Sequence, residues 1–302
     1  MHYQSRVIPA AFLLLLGLAA APGLAAQQSP APSTTPAQSP AKPALNDHLY
    51  DKFQLDLSGS LVILGSNIRV DGDNGTGTDI NGESRLGLPK QKFQPRASLR
   101  WRPGKRHELE LGYQMARRKG SKTLSDSLVF GDTTYAAGAM VNSVFNTDQA
   151  FLTYRYAFIA HPRTQVGFAI GLGAFFFKMK LDALASAGSD SVAYSTEKSF
   201  VGPTGSVGFY GRFLAGNHWQ FEADARAIAI KIDRIKAAVG EFGGAARYSL
   251  SHTIALELGY GISAVKVEVA SKEGGVVSGS GVESGKIKFN LQNVRLGVVL
   301  SL

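Results

Sequence analysis

The chain has 302 residues, is 44% hydrophobic, and carries 34 glycines, 12 prolines and no cysteine. Lys and Arg number 32 against 23 Asp and Glu, a net charge of +9. The missing cysteine excludes disulfides, a thiolate nucleophile, Cys-based metal centres and a lipid-anchored N-terminal cysteine. A mean hydropathy near zero excludes a polytopic helical membrane protein, which needs several apolar runs of ~20 residues.

Residues 1–26 read as a secretory signal peptide. Arg6 supplies the positive start, residues 7–21 the apolar run, and Gly23, Ala25 and Ala26 the small residues of a cleavage site. Its removal would leave the mature chain at +8, one charge fewer for the loss of Arg6. Residues 27–49 are rich in Pro, Ala and Ser, and seven of the 12 prolines lie before position 44. Such a stretch cannot bury a core and reads as a disordered linker.

From Phe53 onward the pattern has period two, the signature of strands. Phe53, Leu55, Leu57, Leu61 and Ile63 face one way, and Gln54, Asp56, Ser58 and Ser60 the other. Val166, Phe168, Ile170, Leu172, Ala174 and Phe176 alternate with small residues, and Ile254, Leu256, Leu258, Tyr260 and Ile262 repeat the theme. Ten strands are expected, at about 50–70, 88–102, 107–119, 141–159, 165–181, 196–214, 218–232, 236–250, 253–269 and 285–302. Short connections at 103–106, 160–164, 215–217 and 251–252 alternate with long polar ones at 71–87, 120–140, 182–195 and 270–284. The connection at 233–235 is short where a long one is due.

A secreted soluble β-sandwich would also alternate. Export, strand length and the short–long rhythm of connections favour a transmembrane β-barrel of the outer-membrane type. Lipid tolerates a sheet only when it closes, because unpaired backbone finds no water there. The expectation is an all-β, ten-stranded antiparallel transmembrane β-barrel over 50–302. It would lie in the cell outer membrane, with the linker in the periplasm and the long loops outside.

Two stretches carry a resemblance. Arg85-Leu86-Gly87-Leu88-Pro89, followed by Pro95-Arg96-Ala97-Ser98-Leu99-Arg100-Trp101-Arg102-Pro103, resembles a recurrent first hairpin of uncharacterised proteobacterial outer-membrane β-barrel proteins. So does Phe130-Gly131-Asp132 leading to Tyr154-Arg155-Tyr156. Arg295, Gly297, Leu300 and Leu302 fit the spacing of the C-terminal insertion signal of such proteins. The resemblance implies fold and location and no activity; it also implies engagement of the barrel-assembly machinery through the last strand.

His107, His161, His218 and His252 each fall at a short turn. A barrel enzyme acting on peptide or lipid, of the omptin or lipid A deacylase kind, would need His at the opposite rim or facing lipid. The expectation is therefore a non-enzymatic protein, either structural and surface-interacting or a narrow passive channel for small solutes. No cofactor or metal site is expected. The Asp-rich stretch 71–83 resembles a calcium loop only superficially, since Gly75 and Thr76 stand where an EF-hand needs Asp or Asn and Gly. Whether it binds calcium is left open, and a hydrophilic surface loop is the plainer reading.

The charges on the polar face are the most informative set. Turn geometry pairs Arg102 with Glu108, Arg100 with Glu110, Arg212 with Glu222 and Arg247 with Glu257. Opposed charges on facing strands attract. They would either line a polar pore or fill and brace the lumen. Trp101, Phe158, Phe213, Trp219 and Tyr248 flank short turns, where an interfacial aromatic girdle is expected. The positive charge is no sign of nucleic acid in an exported chain; attraction to outer-membrane lipid or lipopolysaccharide is the expected use of basic rim residues. Oligomeric state is not legible.

Overall fold

The computed structural model describes residues 48–72, 75–187, 190–232, 235–269 and 284–302. The signal peptide at 1–26, nearly all of the linker at 27–49 and nearly all of the connection at 270–284 lie outside them. The elements run in chain order. A 3-10 turn, His48–Tyr50, precedes β1 (Phe53–Asp71) and β2 (Ile80–Asn81). Then come α1 (Gly82–Leu86), β3 (Gln91–Gly104), β4 (His107–Gln114), β5 (Arg117–Thr123), β6 (Leu128–Phe130) and β7 (Thr133–Tyr135). The remaining strands are β8 (Met140–His161), β9 (Thr164–Ala187), β10 (Asp190–Ala215), β11 (Trp219–Ile232), β12 (Ile235–Ser249), β13 (Ile254–Val269) and β14 (Ser284–Ser301).

Each long strand pairs antiparallel with its chain neighbour, and β14 returns to pair with β1 from Gln54↔Ser301 to Asp71↔Ser284. The ring therefore closes. Counting β4 and β5 as one wall interrupted at 115–116, it has ten strands, and the fold is that expected from the alternation. One connection differs. Residues 182–195 continue the β9–β10 ladder up to Ala187↔Asp190, so this polar stretch extends the wall instead of forming a loop.

Along β1 and β9 side chains alternate inward and outward without a change of parity, yet polarity reverses partway up. Along β9 the outward series is Val166, Phe168, Ile170, Leu172, Ala174, Phe176, then Lys178 and Lys180. The inward series is Gln165, Gly167, Ala169, Gly171, Gly173, then Phe175, Phe177, Met179 and Leu181. The same switch appears on β1, where Ser58 and Ser60 give way inside to Val62, Leu64 and Ile68. Near the short turns the barrel is apolar outside and polar inside, as a lipid-facing wall must be. Towards the long loops it is polar outside and apolar inside, as in a water-soluble barrel.

The apolar interior of the loop end is one buried cluster that includes Phe145, Phe177, Met179, Phe200 and Phe289. Phe145 meets Phe177 edge-on at 5.4 Å and Phe289 at 5.7 Å between ring centres. The first loop folds into this mouth. Asn81 caps α1 by accepting from the Ser84 N–H at 2.8 Å, and Gly87 ends it at φ 65, a left-handed conformation that favours glycine. Ile80, Leu86 and Leu88 are buried as a result. The second loop adds the β6–β7 hairpin, whose Leu128, Phe130 and Tyr135 are buried and whose Tyr135 hydroxyl donates to the Leu181 carbonyl at 3.1 Å. Both stretches read as hydrophilic loops, but their apolar residues supply a lid for the cluster. Leu49, at the end of the expected linker, is also buried.

Candidate functional site

The short-turn half of the lumen is filled by charge. Polar parity turns residues of β1, β3, β4, β8, β10, β11, β12, β13 and β14 inward, and in a ring of ten strands their long side chains meet across the axis. Glu108 lies at the centre. It accepts from Arg155 at 2.8 Å and from both terminal nitrogens of Arg212 at 2.6 and 2.8 Å, and it contacts Arg102. Glu110 accepts from Arg96 at 2.8 Å and Arg155 at 2.6 Å, with Arg100 at 3.7 Å.

Glu222 accepts from Arg212 at 3.0 and 3.2 Å and faces Arg100 at 3.6 Å and Arg247 at 3.8 Å. Glu257 joins Arg247 at 2.7 Å and Arg295 at 2.8 Å, and Asp56 stands 3.8 Å from Arg247. Seven arginines thus face five carboxylates, an excess of two positive charges among the described residues. Arg212 and Glu257 are each only 2% exposed. Burying ions costs several kcal/mol apiece unless partners and hydrogen bonds compensate, and the bidentate Arg–carboxylate contacts are the geometry that compensates best.

All four expected pairs sit on the inward face. Arg100↔Glu110, Arg212↔Glu222 and Arg247↔Glu257 are direct cross-strand partners, and Arg102 reaches Glu108 across a bulged turn. Pairing across one turn understates the site. Arg155, Arg96, Asp56 and Arg295 belong to it as well, and Glu108 is shared by three arginines from three strands. Inward parity was the available signal for Arg155 and Asp56; their partners could not be read from it.

The other expected residues fall as follows. Trp101, Phe158, Phe213, Trp219 and Tyr248 all point outward near the short turns and are exposed. Trp219 and Tyr248 touch at 5.0 Å, and Phe213 stacks on Phe221 at 5.0 Å. Of the C-terminal set, Arg295 and Gly297 share the inward parity, while Leu300 faces out opposite Leu55 and Ile254, and Leu302 is exposed. A Cβ on Gly297 would stand 2.8 Å from the Ser58 Cβ, so a close approach of β14 to β1 requires glycine there.

His107, His161, His218 and His252 stay at the short-turn end; His107 bonds Tyr154 at 2.7 Å and His218 the Ser249 carbonyl at 3.0 Å. In the Asp-rich stretch, Asp71 accepts from Arg69 at 2.7 Å and Ser284 at 2.6 Å, while Glu83 accepts from Arg118 at 2.6 Å and from Ser66. Asp71 and Glu83 engage separate protein partners, and Asp73 lies outside the described residues. No group of three or more His, Cys, Asp or Glu positioned for a metal occurs among the described residues.

No protein-family model matches the chain, and no curated protein matches it. Solved structures do. The outer membrane protease OmpT from Escherichia coli aligns with a TM-score of 0.51 at 9% identity, covering 84% of this chain and 97% of that one. Ail of Yersinia pestis, solved with the heparin analogue sucrose octasulfate, aligns at 0.33 and 9% identity, covering 82% of this chain and 99% of its own. The toluene transporter TodX of P. putida aligns at 0.31 and 8% identity, covering 83% and 90%. At such identities the likeness to OmpT is one of fold: the ring is an outer-membrane type of β-barrel.

Proposed function

We propose that the chain is a non-enzymatic outer-membrane protein whose lumen is closed, acting as a structural and surface-interacting barrel. The observation that carries this reading is the filled axis. Seven arginines and five carboxylates occupy the short-turn half, and the Phe145–Phe177–Phe289 cluster with its two folded loops occupies the other. The outward apolar belt supports placement in lipid, with the long loops outside. The restriction of the described histidines to the short-turn end supports a role without His-based catalysis.

Two partners follow. The outward face above the belt carries more cations than anions: Lys266 and Lys288 are direct cross-strand neighbours, with Lys286 and Arg69 beside them, while Glu268 pairs with Lys266 at 3.0 Å and Lys286 at 2.8 Å and Asp71 with Arg69 at 2.7 Å. Like charges directly opposed repel, and an anionic phosphate relieves that repulsion, so lipopolysaccharide suits this face. A concave patch of about 410 Å³ there is lined in part by Asn67, Lys266, Lys288 and Asn290. The barrel-assembly machinery would engage β14, the strand that closes the ring.

Planar-bilayer recording of the folded protein tests the closed lumen. The expected result is no conductance. A large stable conductance would overturn the reading in favour of a pore; a small selective one would mark a narrow passive channel.

A further inference from the structure

The wall has a seam. The β10–β11 ladder begins at Ala215↔Trp219 and ends at Val207↔Ala227. Beyond it β10 runs on from Ser206 to Asp190, paired only with β9, and β11 runs on from Ile228 to Ile232, paired only with β12. Among the described residues no ladder pair joins these two edges. Continued register would set Gly205 opposite Ala229 and Pro203 opposite Lys231. Pro203 has no N–H to give a ladder, and Gly202 and Gly205 offer a partner strand nothing to pack on. Ile228 lies close to this edge: a Cβ built on Gly205 would meet its Cδ1 at 3.5 Å.

The seam starts within the lipid belt. Val201 and Val207 point outward on its β10 side, both about half exposed, and Ala227 and Ala229 on its β11 side. Unpaired backbone in lipid is costly and is tolerated where it is buried in protein. A cavity is there. It holds about 30 Å³ and is walled by the edges themselves and by Phe175, Phe200, Ile230, Ala237, Val239 and Val265. Thr204 is the one hydrogen-bonding side chain among its described lining residues. On its luminal side Phe175 and Val265 pack against the buried aromatic cluster.

We infer that the seam is a lateral port through which a slender uncharged hydrocarbon dissolved in the bilayer enters this chamber. The lining selects against charge. The seam's place in the outward apolar belt makes lipid the source. The present volume is about that of one water, so entry parts the β10 and β11 edges, which no ladder hydrogen bond holds together. The inference rests on the membrane placement proposed above.

The test uses full-length protein in vesicles and 1-aminoanthracene, a neutral aromatic whose fluorescence rises in apolar surroundings, with protein-free vesicles as the blank. Heat-modifiable gel mobility reports insertion. The wild type should bind saturably, and Ala237→Phe, which fills the chamber, should weaken binding at least tenfold. The chain lacks cysteine, so Gly205→Cys with Ala229→Cys can be stapled across the seam by a bismaleimide. Stapling should slow probe entry at least tenfold relative to the unstapled double variant. Inserted wild type without saturable binding overturns the port alone, as does a staple that leaves entry unchanged. Failure of the wild type to insert overturns the membrane placement and the port together. If Ala237→Phe does not fold, the staple decides.

Discussion

Arg212 grips both oxygens of Glu108 across the lumen at 2.6 and 2.8 Å, although 104 residues separate them and two strands, β8 and β9, lie between their own. Glu108 also holds Arg102 and Arg155. Removing it takes from Arg102 the one carboxylate it contacts among the described residues, and leaves Arg155 and Arg212 with only Glu110 and Glu222 in a confined site. Glu108→Ala should therefore lower unfolding stability by about 3–5 kcal/mol, the usual cost of breaking a buried ion pair, read as a drop in the urea midpoint. Glu110→Ala with Glu222→Ala should act in the same direction. Because Arg212 and Glu108 act as a unit, the double variant Arg212→Ala/Glu108→Ala should cost less than the sum of the two single changes. Strict additivity would show that the grip contributes nothing of its own.

The reversal of polarity along β9 predicts a depth dependence. Leu172 is 65% exposed in the middle of the outward apolar series, and Phe176 ends it beside Lys178. Leu172→Lys should destabilise by about 2–4 kcal/mol and Phe176→Lys by about 0–1 kcal/mol, the midplane and interface costs of a lipid-facing cation. Equal costs, measured by unfolding from vesicles, would misplace the belt.

Glu83 ties the first loop to the wall. Burial opposes its ionisation, but the Ser66 N–H, the Arg118 guanidinium and the Ser66 hydroxyl outweigh burial and hold its carboxyl below the ordinary range. A folded value below the unfolded one means the ionised latch stabilises fully above the unfolded pKa of about 4.3. That contribution fades as pH falls through the lower folded value. Hydrogen exchange at residues 80–88, corrected for intrinsic rates, should be flat from neutral pH to about 5 and rise below about 4. Glu83→Gln should loosen the loop at neutral pH and abolish that rise.

The basic outward face predicts a lipid effect. Lys266→Glu with Lys288→Glu turns a cross-strand pair of cations beside Glu268 into a pair of anions on adjacent strands. Binding of purified lipopolysaccharide to the folded barrel should weaken at least tenfold, while the unchanged luminal network keeps the fold. Undiminished binding would remove this face from the proposal.

Orientation follows from loop length. An epitope inserted at 137, in the exposed part of the second loop, should be detected on intact cells. One at 216, in the tight turn where Gly216 takes φ 57, should need permeabilised cells. The reverse pattern would invert the barrel.

The strands, their number and the inward placement of the arginines were legible because each rests on local chemistry. Period two assigns a face, and a short turn such as 105–106 sets the register that places Arg100 opposite Glu110. Polar composition misled at 182–195, where outward Lys180 and Asp182 bond each other at 2.9 Å on a continuing strand. It misled again in the first two loops, whose few apolar residues, Leu86 and Phe130 among them, are the ones that fold inward. In each case water outside an extended wall looks the same in sequence as water around a loop.

Sequence alone therefore determined an alternating chain that must close, and which side chains turn to the lumen. Closure decided the rest. Which arginine meets which carboxylate depends on chords across the ring, as between Arg212 and Glu108, and no spacing along the chain encodes a chord. The point where β10 and β11 part is likewise tertiary. Pro203 and Gly205 weaken the pairing locally, but that the ladder stops at Val207↔Ala227 with an apolar chamber beside it is visible only in the closed wall.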